Sequence, residues 1–312
     1  MKIIILGGCG YVGSVLVKKL LSLGHIVLVV DTQWFGNYLR PANNLNIIKS
    51  DIRNLKEISF KGYEVIIHLA NIANDPASEL NPNLSWEINV LATYQIINKS
   101  VNEGIKKFIY ASSGSVYGVK KEKKVTEKLS LVPLSVYNKT KMIAERVILS
   151  FKNQIKIFII RPATVCGLSP RMRLDLTVNM LTAQALQKGV INVFGGKQRR
   201  PNIHIEDLTN ILIMFTKKNN ATGIYNAGFE NYSVLKIAKI IQKKINCIIK
   251  IKKTTDTRSY NLDSSKLIKL GFRPKYTIMD AIDEVKRYLI KSKNPYKKNW
   301  YSVLWLKKNK II

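Results

Sequence analysis

Apolar and polar positions alternate along this chain in blocks, and the blocks set out a fold. Lys2-Ile3-Ile4-Ile5-Leu6 is a short continuous apolar run, and Gly7-Gly8-Cys9-Gly10-Tyr11-Val12-Gly13 follows it. Residues 14–21 then carry apolar side chains at helical spacing, so the opening predicts a strand, a glycine turn and a helix. Gly24 closes that helix, and residues 26–30 predict a second buried strand with Asp31 at its end. Similar runs recur at residues 46–49, 65–69, 107–110 and 155–160, separated by helix-like stretches. Strands that are apolar throughout are covered on both faces, so the alternation predicts an α/β protein with a doubly wound parallel sheet.

Composition narrows the class. With 312 residues and 46% apolar content the chain has ample material for a core, which excludes intrinsic disorder and fibrous architectures. Three scattered cysteines, Cys9, Cys166 and Cys247, are too few for a disulfide framework, and no CxxC pair offers a zinc site. Together with the absence of a bilayer-length apolar run and of a signal peptide, this predicts a cytoplasmic protein with no metal and no membrane span. Lys+Arg 51 against Asp+Glu 20 gives a net charge of +31, which would suit a polyanion binder. Lysine, isoleucine and asparagine are abundant along the whole chain, however, and the lysines form no single basic arm. Compositional bias therefore explains the charge better than a nucleic-acid partner does.

The glycine turn has the chemistry of a dinucleotide site. Gly7 allows a tight turn, Gly10 lets the backbone approach a pyrophosphate at the helix N-terminus, and Gly13 allows close packing behind it. Tyr11 and Val12 lie in the same turn. Asp31, ending the second strand, is placed to accept hydrogen bonds from an adenosine ribose and to repel a 2′-phosphate, which favours NAD over NADP. Asp51 and Ile52 follow the third strand and are placed to edge the adenine; Leu69, Ala70 and Asn71 follow the fourth and are placed beneath the dinucleotide. His68 ends an apolar strand and reads as a packed side chain.

Two later segments carry reactive groups. Residues 108–118 run from a strand into the small-residue loop Ala111-Ser112-Ser113-Gly114-Ser115-Val116-Tyr117-Gly118, and Tyr137-Asn138-Lys139-Thr140-Lys141 opens a long helix. Tyr137 and Lys141 are four apart and share a helix face. An ammonium beside a phenol is expected to lower the phenol's pKa, making it a general base near neutral pH.

Glycine turn, Asp31, Ser-Ser-x-x-Val-Tyr-Gly loop and Tyr-x-x-x-Lys, in this order, resemble an extended short-chain dehydrogenase/reductase, and more narrowly the NAD-dependent epimerase/dehydratase family acting on nucleotide sugars. The resemblance runs over nearly the whole chain. It implies a Rossmann domain over residues 1–165 and a smaller α/β substrate domain over residues 166–312, partly interleaved with the first. It also implies NAD as cofactor, a nucleotide-diphosphate sugar as substrate, and Tyr137, Lys141 and Ser113 as catalytic groups. Ser112 and Pro162 would line the cofactor. Relatives that dehydrate the sugar carry an Asp-Glu pair after the catalytic hydroxyl; here Gly114-Ser115 stands there, which disfavours dehydration.

Past Pro162 the resemblance assigns substrate contacts to Thr164, where relatives often carry Asn, and to Arg173, Asn179, Arg200 and Arg258. Glu206-Asp207 would cap the following helix, and His204 reads as structural. The aromatic tail at residues 300–306 is expected to dock onto the chain or a subunit. Relatives commonly dimerise through a four-helix bundle, here formed from residues 89–103 and 137–150 of each copy. The leading expectation is a C4 epimerase; a reductase or dehydrogenase of the same family is the alternative, and a basic RNA-binding relative of the fold is the reading from a different class.

Overall fold

The computed structural model describes residues 1–254 and 259–312. The first half runs β1 (Lys2–Leu6), α1 (Tyr11–Ser22), β2 (Ile26–Asp31), β3 (Leu45–Lys49) and β4 (Val65–His68), then the short helices α2 (Asp75–Ser78) and α3 (Pro82–Trp86). A π-helical turn at Glu87–Leu91 feeds α4 (Ala92–Asn102), followed by β5 (Lys107–Ala111), a 3-10 turn at Gly114–Tyr117, α5 (Val136–Leu149) and β6 (Lys156–Pro162). The second half adds β7 (Thr164–Cys166), α6 (Thr177–Lys188), β8 (Val190–Phe194), β9 (Arg199–His204), α7 (Ile205–Lys217), β10 (Gly223–Ala227), β11 (Glu230–Ser233), α8 (Val234–Lys244), β12 (Ile248–Lys252), α9 (Ser265–Lys269), α10 (Ile278–Lys291) and α11 (Ser302–Lys308).

Seven strands form the central sheet in the order β10-β6-β5-β4-β1-β2-β3, and every pairing is parallel. Alternate side chains enter opposite layers. Ile3, Ile5, Val27, Val29 and Ile67 meet Leu16 and Leu20 of α1 and Leu208, Leu212 and Phe215 of α7 on one face. Ile4, Leu6, Leu28, Val30, Ile66 and Phe108 meet Ile96 and Ile97 of α4 and Ala144 and Ile148 of α5 on the other. Both faces being covered is why each strand reads as an unbroken apolar run.

β1 lies between β2 and β4, so the strand order reverses there and opens a crevice at the carboxyl ends of β1 and β4. β4 stops at His68 because the next two amides, of Leu69 and Ala70, both turn back to the Leu6 carbonyl at 2.8 Å. The second half crosses into the first: β10 forms an edge of the central sheet, while β7 joins a three-stranded sheet with β9 and β11. A smaller core of Val178, Leu181, Ile191, Val193, Ile237 and Ile282 lies beneath α6, α8 and α10.

Three expectations meet a more particular structure. The predicted helix over residues 89–103 begins as the π turn, which turns Asn89 inward. The cap of α7 is His204, whose Nδ1 accepts from the Glu206 amide at 3.2 Å. Glu206 and Asp207 instead sit in the first turn. There Glu206 pairs with Lys19 at 2.6 Å, while Asp207 accepts from the amides of Lys275 and Tyr276. The aromatic tail docks onto the chain itself: Trp300 is 1% exposed, and Leu306 joins the core on the α4 and α5 face. No helix among the described residues is long and apolar enough to cross a membrane.

Candidate active site

Two pockets open at the crevice and share Gly7, Gly10, Trp34, Phe35, Leu69 and Asn71 in their walls. One is completed by Asp31, Asp51, Ile52 and Ala70. The other, about 360 Å³, is completed by Tyr11, Val12, Gly13, Ser112, Ser113, Tyr137, Lys141 and Pro162, among others. Every residue that the sequence assigned to the cofactor thus lines one continuous cleft.

The glycine turn is built without spare room. Gly7 has φ +85°, and a Cβ there would meet the Ala70 amide nitrogen at 2.5 Å. A Cβ on Gly13 would meet the Gly7 carbonyl at 2.4 Å, so the helix packs against the turn itself. Gly10 differs: a Cβ there would touch only the Gly7 oxygen, at 3.3 Å, leaving open space at the N-cap of α1. Asp31 braces the turn by accepting from the amides of Cys9 at 2.9 Å and Gln33 at 2.7 Å. Its pKa is raised, chiefly by burial. Both amide atoms of Asn71 are buried without a partner. Free amides at a helix N-terminus, an open N-cap and an unsatisfied amide in one wall fit a diphosphate-bridged dinucleotide.

α5 begins at the N-cap Ser135, whose hydroxyl accepts from the Asn138 amide. It brings Tyr137 and Lys141 to the cleft beside the 3-10 turn that Ser113 caps. Ser113 Oγ lies 2.7 Å from Ser115 Oγ, and Ser115 donates onward to Asn138 Oδ1. The electrostatics differ from the sequence expectation. The Tyr137 phenol is pushed up to about 12, first by burial and then by the Asp75 carboxylate, against a hydrogen bond with Ser113 and the charge of Arg173, which lower it. Burial pulls Lys141 down to about 7, with Glu145 opposing. Lys141 Nζ donates to the Ala111 carbonyl at 2.6 Å and lies 4.5 Å from the Tyr110 ring centre. Its charge is thus committed to strand β5, and desolvation decides the phenol's value.

Of the residues assigned to substrate, Ser113, Thr164 and Arg173 line the cleft. Arg173 forks onto Asp175 at 2.8 and 3.1 Å. Asn179 is a correction, because it is fully buried behind Tyr11 and its side chain is consumed by the scaffold. It accepts from the Gly167 amide and donates to Tyr11 Oη at 3.1 Å and to the Arg173 carbonyl at 3.0 Å. Arg200 stands on β9 opposite Tyr232 of β11, outside the cleft wall. Arg258 lies outside the described residues.

Several supporting residues escaped the sequence reading. Asn89, turned inward by the π turn, accepts from the Ile72 amide at 2.9 Å and donates to Thr140 Oγ1 at 3.1 Å, tying the loop after β4 to α5. Glu145 receives Arg161 at 2.9 and 2.6 Å and also accepts from Ser112. Arg171 is 3% exposed and lines the cleft as well. Their partners are distant in sequence, and no local signal marks them.

The chain is 32% identical over 264 residues to the uncharacterised UDP-glucose epimerase YtcB of Bacillus subtilis strain 168, covering 78% of this chain and 81% of that protein. Among solved structures it is similar to a UDP-glucose 4-epimerase from Thermotoga maritima with UDP-glucose (TM-score 0.84, 25% identity, 93% of this chain and 99% of that one). It is also similar to a UDP-glucuronic acid 4-epimerase from Bacillus cereus with UDP-glucuronic acid and NAD (TM-score 0.79, 26% identity, 92% and 98%). The model of the NAD dependent epimerase/dehydratase family matches residues 3–228, and the chain belongs to that family.

Proposed function

We propose that this protein is an NAD-dependent epimerase of a nucleotide-diphosphate sugar, acting at C4. The observation that carries the reading is that Tyr137, Lys141 and Ser113 line the same cleft as the glycine turn, while Gly114 and Ser115 follow Ser113 where dehydration needs an acid and a base. The names of the similar proteins point to UDP-sugars.

NAD, when bound, supplies a hydride acceptor that can return the hydride, so no net redox change results. Tyr137 takes the proton from the sugar's C4 hydroxyl; burial and Asp75 raise its phenol, and the hydrogen bond with Ser113 and the charge of Arg173 work against that rise. Ser113 donates to the developing keto oxygen. Lys141, anchored on the Ala111 carbonyl in the same wall, would hold the nicotinamide ribose. Once the keto sugar had turned over in the cleft, Tyr137 would return its proton to the C4 oxygen. Asp31 excludes a 2′-phosphate.

Trp86 of α3, Leu91 of the π turn and Tyr94 of α4 are 37%, 59% and 49% exposed, which supports a homodimer through the helices of residues 89–103 and 137–150. Sedimentation giving only monomer at micromolar concentration would rule it out.

The test of the reaction is incubation with UDP-, GDP-, CDP- and dTDP-sugars, separation of epimers and mass measurement. A product of unchanged mass with inverted C4 is expected. Loss of water or carbon dioxide, or consumption of NADH by a keto sugar, would move the assignment elsewhere in the family.

A further inference from the structure

Arg171 is a buried cation with no carboxylate in contact among the described residues, although Asp175 and Asp31 lie near enough to act on its charge. Two other buried arginines, Arg161 and Arg173, are each forked onto a carboxylate, Glu145 and Asp175. Arg171 forms no ion pair among the described residues. Nη2 donates to Ser302 Oγ at 3.1 Å, Nη1 makes a long 3.4 Å contact with the Met172 carbonyl, and Nε is buried with no partner. The guanidinium lies 4.0 Å from the centre of the Phe35 ring. Burial pulls its pKa down to about 9. Burial outweighs the two carboxylates, so an anion brought onto the unpartnered edge of the guanidinium stabilises it.

Its setting says which anion. Arg171 lines the cleft together with Gly10 and Gly13 at the positive end of α1, whose first turn carries no acidic side chain. Phe35, the ring beneath the guanidinium, also lines the pocket of Asp31 and Asp51. Both supports are tied to the C-terminal segment. Asn299 donates to the Phe35 carbonyl at 3.0 Å and to Tyr38 Oη at 2.6 Å, and Trp305 Nε1 donates to the Trp34 carbonyl at 2.7 Å. The Ser302 amide is in turn held by Asp175 at 3.1 Å.

We propose that Arg171 binds a diphosphate together with the N-terminal turn of α1, and that residues 299–305 form a strap that presents it. The inference rests on the reading of this cleft as a dinucleotide site. Diphosphate occurs in both the dinucleotide and a sugar nucleotide, and the shared Phe35 wall assigns Arg171 to the dinucleotide. A planar guanidinium suits two phosphate oxygens where an ammonium offers one point of charge.

Calorimetric titration of the purified full chain with ADP-ribose and, separately, with UDP tests this. Arg171→Met is expected to weaken ADP-ribose by about 10- to 100-fold and UDP by less than about threefold, with Arg171→Lys intermediate for ADP-ribose. Ser302→Ala is expected to weaken ADP-ribose a few-fold by freeing the guanidinium. Unchanged ADP-ribose affinity in Arg171→Met overturns the proposal, as does an equal loss for both ligands, which marks a purely structural residue. A loss confined to UDP overturns the choice of ligand. If Arg171→Met does not fold, Arg171→Lys decides by the same comparison. Unaltered protein that binds UDP but not ADP-ribose would refute the dinucleotide cleft itself.

Discussion

Glu145 of α5 and Arg161 of β6 form a two-contact ion pair in which the side chains are 2% and 3% exposed. The pair fixes α5 to the sheet, because Glu145 also accepts from Ser112 and Arg161 also donates to Tyr117 Oη at 2.7 Å. Removing one partner leaves the other charge buried. Glu145→Gln should therefore lower stability by about 3–5 kcal/mol, read from the midpoint of urea unfolding, and should loosen Tyr137 and Lys141 together. A loss under about 1 kcal/mol would show that the pair is dispensable.

Tyr137→Phe removes the hydroxyl and keeps the ring. Turnover on the competent sugar nucleotide should fall by about 10²–10⁴, the usual range for losing a general base, with NAD affinity retained. Near-complete activity in this variant would place the base elsewhere.

Lys141 gives stability a pH dependence of known sign. Its folded value near 7 lies below the 10.5 of a free lysine. Between those values the unfolded chain holds a proton that the folded chain has released, so stability rises with pH across the window and is lowest below about 7. Lys141→Met abolishes that slope. Its unfolding free energy relative to the unaltered protein, read from urea titrations, should be highest at pH 6 and lower at pH 10 by an amount on the order of a few kcal/mol. A pH-independent difference would mean that the ammonium is well solvated.

The two glycines of the turn should fail in different ways. Gly13→Ala drives a methyl into backbone at 2.4 Å and should destabilise the fold by more than about 2 kcal/mol. Gly10→Ala meets one oxygen at 3.3 Å; it should fold normally and lose dinucleotide affinity. Thermal melts with and without ADP-ribose separate the two.

What the sequence reveals here is what repeats locally. The apolar strands, the turn between β1 and α1, Asp31 and the one-turn spacing of Tyr137 and Lys141 all follow from neighbours in the chain. Long-range partners do not: Asn89 meets Thr140 across 51 positions, Arg171 meets Ser302 across 131, and Asn299 meets Phe35 across 264. Asn179 looked like a polar group on offer to substrate, yet four atoms around Gly167, Tyr11 and Arg173 claim it. The phenol's electrostatics were equally hidden, since burial is a property of the assembled cleft.

The strap also gives the protein an internal optical probe. Of the four tryptophans, Trp34 and Trp305 are joined by a hydrogen bond, and Trp34 lines both pockets of the cleft. Trp300, in the same segment, is nearly fully buried. Intrinsic fluorescence is therefore weighted toward the mouth of the site, and reduced nicotinamide, which absorbs where tryptophan emits, should quench it on arrival. Dinucleotide exchange can be timed in the unlabelled protein.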